Sequence, residues 1–328
     1  MTRRLMVTGA TGYLGGRLVQ HLAADASIRV VGTTRRAPSR PKGWPEGADL
    51  VRLDPQIADE GAIAEAMSGT DTLIHLALPN EIESANDPVG SLQSGGVGSL
   101  KLLRAARAAG CRRFIFLSTI HVYGAPLQGR VVEADSANPT HPYAVVHRTA
   151  EDFVRAAHAK RETEGVILRL SNAIGAPAWA TVDRWSLIGN DLCRQAVADG
   201  RIVLRSSGLQ RRDFILLRDA VRAIRHMADV PRDALGDGLF NLGGRMSLRM
   251  IDIAEMVARR AKAMFGQDIP ITRAPAAAGE AWPELDYSID RIEATGFSPS
   301  PVSALDEEID GTLRLCKAAF AKEDSAAS

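Results

Sequence analysis

The sequence predicts an α/β fold: a doubly wound parallel sheet followed by a smaller lobe. Three observations carry this expectation. Short β-branched runs alternate with longer helical patterns through the first half of the chain. The runs are apolar throughout rather than alternating, as strands covered on both faces must be. A glycine-rich stretch, "TGATGYLGG", joins the first run to the first helical pattern.

Taken in order, "RRLMVTG" (3–9) reads as a buried strand. "GYLGGRLVQHLAA" (12–24) reads as a helix with Leu14, Leu18 and Leu22 on one face. "IRVVGTT" (28–34) is a second strand, "EGAIAEAMSG" (60–69) a helix and "DTLIHLAL" (71–78) a third strand. "SLKLLRAARAAG" (99–110) is a helix stopped by a glycine, and "RRFIFLST" (112–119) a fourth strand. A helix over about 142–161 and the strand "GVILRLS" (165–171) complete the alternation. Beyond Asn172 the pattern loosens, with turns, Trp179, Trp185 and isolated helices. The expected division is therefore 1–170 and 171–328, with 213–242 returning to the first domain.

The bulk numbers narrow the function. A chain of 328 residues can bury a large core. A net charge of +1 supplies no field for nucleic acid or an anionic membrane. The N-terminal apolar run is short and breaks at glycines, which argues against a secretory signal, and no stretch reaches membrane-spanning length. Cys111, Cys193 and Cys316 are far apart and have no metal or redox spacing. They read as reduced thiols of a cytoplasmic protein, and no metal is expected. There is no internal repeat, and the tail "KEDSAAS" reads as frayed.

Gly9, Gly12 and Gly15 recur every three residues between a strand and a helix. This spacing differs from G-x-G-x-x-G but serves the same ends: a tight turn, close approach to a pyrophosphate, and close helix packing. A Rossmann-type dinucleotide site follows. It takes in Thr11, Tyr13 and Leu14 from the loop, and Leu76 and Ala77 from the end of the third strand. No acid occurs from Ala26 to Pro45, where an NAD-selective site would place one for the ribose hydroxyls. Thr33, Thr34, Arg35 and Arg36 suit a 2′-phosphate instead, which favours NADP(H), with NAD(H) the alternative. Asp54 is placed either to meet the adenine edge or to form a turn.

With "LIHLA" (73–77), "FIFLSTIHVYG" (114–124), "HPYAVVH" (141–147), "LRLSNAIGAP" (168–177), "RRDFILLRDA" (211–220) and "FNLGG" (240–244) in this order, the chain resembles the extended short-chain dehydrogenase/reductase superfamily. The resemblance is to its NAD(P)-dependent epimerase/dehydratase branch, which acts largely on nucleotide sugars. It implies that Thr119 hydrogen-bonds the reacting oxygen and that Tyr143 donates or accepts the proton. One turn beyond that tyrosine the branch has a lysine, which binds the nicotinamide ribose and lowers the tyrosine pKa. Here the position is His147.

The i, i+4 spacing keeps His147 on the face of Tyr143, where it can still bond ribose hydroxyls. An imidazole is mostly neutral at pH 7, so Tyr143 should be less acidic than in its relatives. The alternative is an ordinary exposed helix histidine. Arg148, at i+5, points away from Tyr143. The acidic pair of the branch's dehydratases falls on Ile120 and His121, so elimination is disfavoured; His121 either touches substrate or makes a structural hydrogen bond. An asparagine common before the helix at 99–110 is Gly95 here.

Asn172 and Arg212 fall on positions that hold the substrate's diphosphate, Arg212 having a surface ion pair with Asp213 or Asp219 as its alternative. Trp179 and Trp185 could stack on a base or sugar, although core packing is the commoner fate of tryptophan. The resemblance also suggests a homodimer through the helices at 99–110 and 142–161. The expected function is NADPH-dependent reduction of a keto group on a nucleotide-linked sugar. The alternatives are a nucleotide-sugar epimerase holding NAD(P) tightly, and a cofactor-binding or regulatory protein with weakened catalysis.

Overall fold

A computed structural model describes residues 2–320, so the expectation for the tail lies outside the described residues. The first elements are β1 (Arg3–Thr8), α1 (Tyr13–Ala23), β2 (Ile28–Thr34), β3 (Ala48–Arg52), α2 (Glu60–Ala66) and β4 (Thr72–His75). Next, α3 (Glu81–Asn86) and α4 (Pro88–Ser91) lead through a π-helical turn (Leu92–Val97) into α5 (Gly98–Ala108) and β5 (Arg113–Thr119). A 3-10 turn (Ile120–Tyr123), β6 (Gly129–Val131), α6 (Pro142–Ala159), β7 (Glu164–Leu170) and β8 (Asn172–Ile174) follow. The remainder runs α7 (Ile188–Ala198), β9 (Ile202–Leu204), β10 (Arg211–Leu216), α8 (Leu217–Met227), β11 (Leu239–Leu242) and β12 (Met246–Arg249). It ends with α9 (Met250–Phe265), β13 (Ile271–Arg273), β14 (Leu285–Tyr287), α10 (Asp290–Glu293) and α11 (Leu305–Phe320).

Seven parallel strands form the main sheet in the order β11-β7-β5-β4-β1-β2-β3. The chain winds outward from β1 through β2 and β3, then crosses to β4 on β1's other side. A crevice therefore opens at the carboxyl ends of β1 and β4, where such sheets bind ligands. Thr8 fastens the two ends together: its Oγ1 accepts the amides of Leu76 (3.1 Å) and Ala77 (3.3 Å). The sheet interior is apolar throughout, with Leu5, Val7, Ile74, Ile115, Val166 and Leu168 all buried. That burial on both faces is why its strands do not alternate.

Three elements depart from the pattern read along the chain. β3 is a short edge strand whose Asp49 and Arg52 blurred its signal. The helix expected at 99–110 reaches upstream, continuing through the π turn from α4, because Gly95 and Gly96 allow the wider turn. After Asn172 the chain divides its work. β11 closes one edge of the main sheet, whereas β8, β10 and β12 form a separate three-stranded sheet. That small sheet packs with α7, α9 and α11 around Ile174, Leu192, Phe214, Leu216, Ile253 and Leu313. Among the described residues no helix is long and apolar enough to cross a membrane.

Candidate active site

The crevice begins at the glycine loop. Gly9 has φ +68, which L side chains rarely adopt, and a Cβ on Gly15 would run into the Gly9 carbonyl. α1 can therefore start directly against the turn. Its first turn has no acidic residue and no side-chain cap, which leaves amide donors and the positive helix end for a pyrophosphate. Thr11 is half-buried in this loop, and Leu14 packs into the core. The hydroxyl of Tyr13 donates to the Gly175 carbonyl (2.8 Å), so it ties the loop to the chain leaving β8.

At the end of β2, Thr34 Oγ1 accepts the Arg36 amide (3.3 Å). Arg35 and Arg36 are exposed, and among the described residues no carboxylate pairs with either. Asp54 makes the turn: its Oδ1 accepts the Gln56 amide (3.1 Å) and its carbonyl accepts those of Ile57 and Ala58.

β5 and α6 position the reacting groups. Thr119, buried at the end of β5, accepts the His121 amide on Oγ1 (3.2 Å), which frees its own hydroxyl proton for another oxygen. His141 caps α6, its Nδ1 accepting the Tyr143 amide (3.2 Å), and Pro142 fits the helix's first turn. Tyr143 thus stands half-buried at the helix entrance. Burial raises its pKa above 10.0, Arg184 and the Thr119 hydroxyl pull it down, and Glu81 pushes it up. The balance lies above the ordinary value, so the free protein holds Tyr143 as the neutral phenol.

His147 lies one turn further along, its ring 4.4 Å from that of Tyr143 and 5.9 Å from that of Phe116. At 5 % exposure it is no surface histidine. Burial, then His75 and His121, bring its pKa down to about 3, so the ring is neutral. The Leu117 carbonyl favours the protonated ring slightly, yet neither nitrogen makes a hydrogen bond of normal geometry. Two buried, unpartnered ring nitrogens beside the crevice fit ribose hydroxyls, which can both donate and accept. Arg148 supplies no substitute charge: its guanidinium pairs with Asp152 (2.8 Å). Gly95 also has a physical reason. A Cβ there would collide with Val146 Cγ1 on α6 and lie 3.2 Å from Pro79 Cδ, so an asparagine has no room.

The lobe supplies the far wall. Asn172 Nδ2 donates to the Asp213 carbonyl (2.9 Å), joining β8 to β10. Arg212 is half-buried, and among the described residues no carboxylate pairs with it. Asp213 is occupied by the amides of Gly244 (3.2 Å) and Met246 (3.1 Å), and Asp219 by Arg222 and Ser300. The ion-pair alternative for Arg212 therefore fails. Burial without a counter-ion lowers its pKa, which is the situation a phosphate relieves. His121 is exposed in the cleft, edge-on to Tyr143 at 6.3 Å. Surrounding protein displaces much of its water and, with Arg212 and His141, lowers its pKa, against Glu81.

The tryptophans belong to the core. Trp179 stacks on Trp44 (5.6 Å) above Gly16, and Trp185 meets Phe320 edge-on (4.8 Å). Two residues at the site escaped the sequence reading: Glu81, opening α3, and Arg184 in the lobe. Both Nη atoms of Arg184 donate to Glu81 Oε2 at 3.2 Å. The Asn80–Glu83 capping box, legible as N-x-x-E, would have located the start of α3 but not its partner.

Residues 5–243 match the NAD dependent epimerase/dehydratase family. The chain belongs to that family. It is an enzyme of the extended short-chain dehydrogenase/reductase type. It is similar to the UDP-glucose 4-epimerase of Azospirillum brasilense, 28% identical over 95% of this chain and 90% of that one. It is also similar to the dTDP-glucose 4,6-dehydratase of Streptomyces griseus, 26% identical over 81% of each. Among solved structures, UDP-N-acetylglucosamine 4-epimerase from Methanobrevibacter ruminantium superposes with a TM-score of 0.81 at 21% identity, covering 96% of this chain and 98% of that one. UDP-glucuronic acid 4-epimerase from Bacillus cereus, solved with UDP-glucuronic acid and NAD, gives 0.80 at 22%, covering 97% of this chain and all of that one (100%). The sheet order and the lobe are the parts this likeness concerns.

Proposed function

We propose that the protein is a nucleotide-sugar epimerase that inverts one carbinol carbon by transient oxidation and re-reduction. This revises the expectation of a ketoreductase, because the relatives of nearly full-length similarity include epimerases. The observation that carries the reading is the place of Tyr143 beside Thr119, next to the two unpartnered nitrogens of His147. The hydride acceptor and donor would be supplied by a nicotinamide dinucleotide held in the crevice; the remaining steps fall to the chain. Thr119 holds the carbinol oxygen. Tyr143 receives that oxygen's proton as the carbonyl forms and gives it back on reduction. His147 would hold the dinucleotide's ribose hydroxyls and the start of α1 its pyrophosphate, while Arg212 with Asn172 would hold the sugar's diphosphate.

The relatives favour NAD(H), whereas the unpaired Arg35 and Arg36 favour tolerance of a 2′-phosphate. Both cofactors should bind, and Arg35→Ala with Arg36→Ala should weaken NADPH while sparing NADH in a fluorescence titration. The three free, buried cysteines suit a reducing compartment such as the cytoplasm. The deciding experiment offers UDP-glucose, UDP-N-acetylglucosamine and UDP-glucuronic acid and follows the sugar by proton NMR. Interconversion of 4-epimers without net change at 340 nm is the expected result. Net loss of NADPH absorbance with a keto-sugar, and no epimer, would favour ketoreduction instead. The neutral phenol of Tyr143 is the observation that keeps this second reading in play.

A further inference from the structure

The segment between β8 and α7, residues 175–187, contains no helix or strand, yet it is tied to both faces of the main sheet. We propose that it is a strap that retains the dinucleotide. Trp179 holds one end in place, and the ion pair between Arg184 and Glu81 closes the other and breaks when the cofactor enters or leaves. The inference rests on the crevice binding a dinucleotide, not on which substrate carbon reacts.

The path of the segment follows from its attachments. Leu5 and Val7 of β1 face the core that contains α1, whereas Met6 faces the core shared by α2, α5 and α6. Trp179 belongs to the first of these cores. Glu81 opens α3, which packs on α6, a helix of the second. Gly16, beneath Trp179, and Glu81 follow closely on the carboxyl ends of β1 and β4. A chain tied at both places passes over those strand ends, where the start of α1 presents its amides to a pyrophosphate.

The two ends are held differently. The Tyr13 hydroxyl donates to the Gly175 carbonyl (2.8 Å), and Arg17 Nη1 donates to that of Ala176 (3.2 Å). Trp179 is buried and stacks on Trp44, which is itself pinned by its Nε1 donating to the Ala48 carbonyl (2.8 Å). Stacked, buried indoles make this end firm. At the other end both Nη atoms of Arg184 donate to one oxygen of Glu81 at 3.2 Å, and Ser186 Oγ donates to the other at 3.3 Å. The Arg184 and Glu81 side chains are 23% and 38% exposed, so water reaches the pair and it can be broken. Between the ends, Ala180, Thr181 and Asp183 are exposed. The backbone hydrogen bonds from Trp179 to Arg184 are those of two tight turns, Val182 to Trp179 and Arg184 to Val182. A stretch with so few internal bonds opens far more readily than the sheet beneath it. Beyond the latch, Nδ2 of the buried Asn190 donates to the Arg184 carbonyl (3.1 Å) and ends the movable stretch at α7.

The test is NADH exchange in the full chain, followed by stopped-flow fluorescence. Mixing gives the association rate, and displacement by excess NAD gives the release rate. In Glu81→Gln and in Arg184→Gln both rates should rise about three- to tenfold, the worth of a half-exposed ion pair, with Kd nearly unchanged. A strap governs passage in both directions, whereas a lost contact with the cofactor raises release alone. The charge-reversed pair, Glu81→Arg with Arg184→Glu, should return both rates towards the parent values. Unchanged rates in the glutamine variants, or a rise in release alone, would overturn the strap. If one glutamine variant fails to fold, the other and the charge-reversed pair still decide. A parent that binds no NADH would overturn the strap together with the dinucleotide reading. Faster exchange in the variants of a protein that forms no epimer would uphold the strap and sink only the proposed reaction.

Discussion

At the scale of residues, the site turns on what stands beside one phenol. Tyr143→Phe should lower turnover by about two to four orders of magnitude, the usual contribution of a positioned proton-transfer group, with cofactor affinity kept. His147→Lys would place an ammonium one turn away. The expected outcome is a pH–rate profile displaced towards acid by about one pH unit; an active variant with the parent profile would refute the electrostatic account. Arg212→Ala removes an unpaired guanidinium and should raise KM for a nucleotide sugar about ten- to a hundredfold, as loss of a charged hydrogen bond does. Thr119, Tyr143 and His147 were singled out along the chain by the family resemblance, and the regular spacing of α6 put the last two on one face. The Glu81–Arg184 pair was not, since 102 residues of intervening chain separate the partners and only tertiary folding brings them together.

At the scale of elements, α6 is wedged between α3, the π turn and β7. Gly95 gives that packing its tightest point, because Val146 fills the space a side chain would need. Gly95→Ala should therefore destabilise by about 1–3 kcal/mol through overpacking, with Val146→Ala in the same chain recovering part of the loss in a denaturant melt. Beneath the catalytic turn, Glu151 of α6 accepts Ser118 (2.6 Å) and both Nε and Nη2 of Arg169 (2.9 and 2.7 Å), with both charged side chains fully buried. Removing one partner leaves the other charge stranded, so Glu151→Ala should cost about 3–5 kcal/mol. The helix at 99–110 was visible by its leucines and terminal glycine. Its upstream continuation was not, because two adjacent glycines read as a break until packing against α6 shows why the turn can widen.

At the scale of the molecule, exposed apolar side chains concentrate on α4, the π turn and α6: Val89, Leu92, Val97, Val145 and Phe153. A homodimer through this face would cover them, and Val97→Glu with Phe153→Glu should then halve the mass measured by light scattering. Stability should also depend on pH. His75, buried between Thr8 and Ser99, and His147 both have pKa values near 3. Below about pH 6.5 the unfolded chain binds protons there that the native state refuses, so their contribution is lost as pH falls towards 3. Asp213, raised by burial to about 6, acts oppositely between 6 and 3.8. Asp71, half-buried but held down to about 2 by Arg112, Thr72 and Arg3, adds to the loss below 3.8. Burial lowers the pKa of five histidines (His21, His75, His121, His147 and His226) and raises that of three carboxyls (Asp213, Glu133 and Glu308), so the histidines prevail and the melting temperature should fall below pH 6.

The doubly wound sheet and the glycine cradle were readable from short-range periodicity and spacing, which local sterics impose. The threonine, tyrosine and histidine of the reacting end were marked by the family resemblance, with helix spacing placing only the last two on one face. What folding alone revealed is that His147 is buried and uncharged, that Arg212 meets no carboxylate among the described residues, that Trp179 packs into the core and that Glu81 pairs with Arg184. Burial and charge pairing depend on which distant segments come into contact, and it is those contacts that set the dielectric and the field at each group.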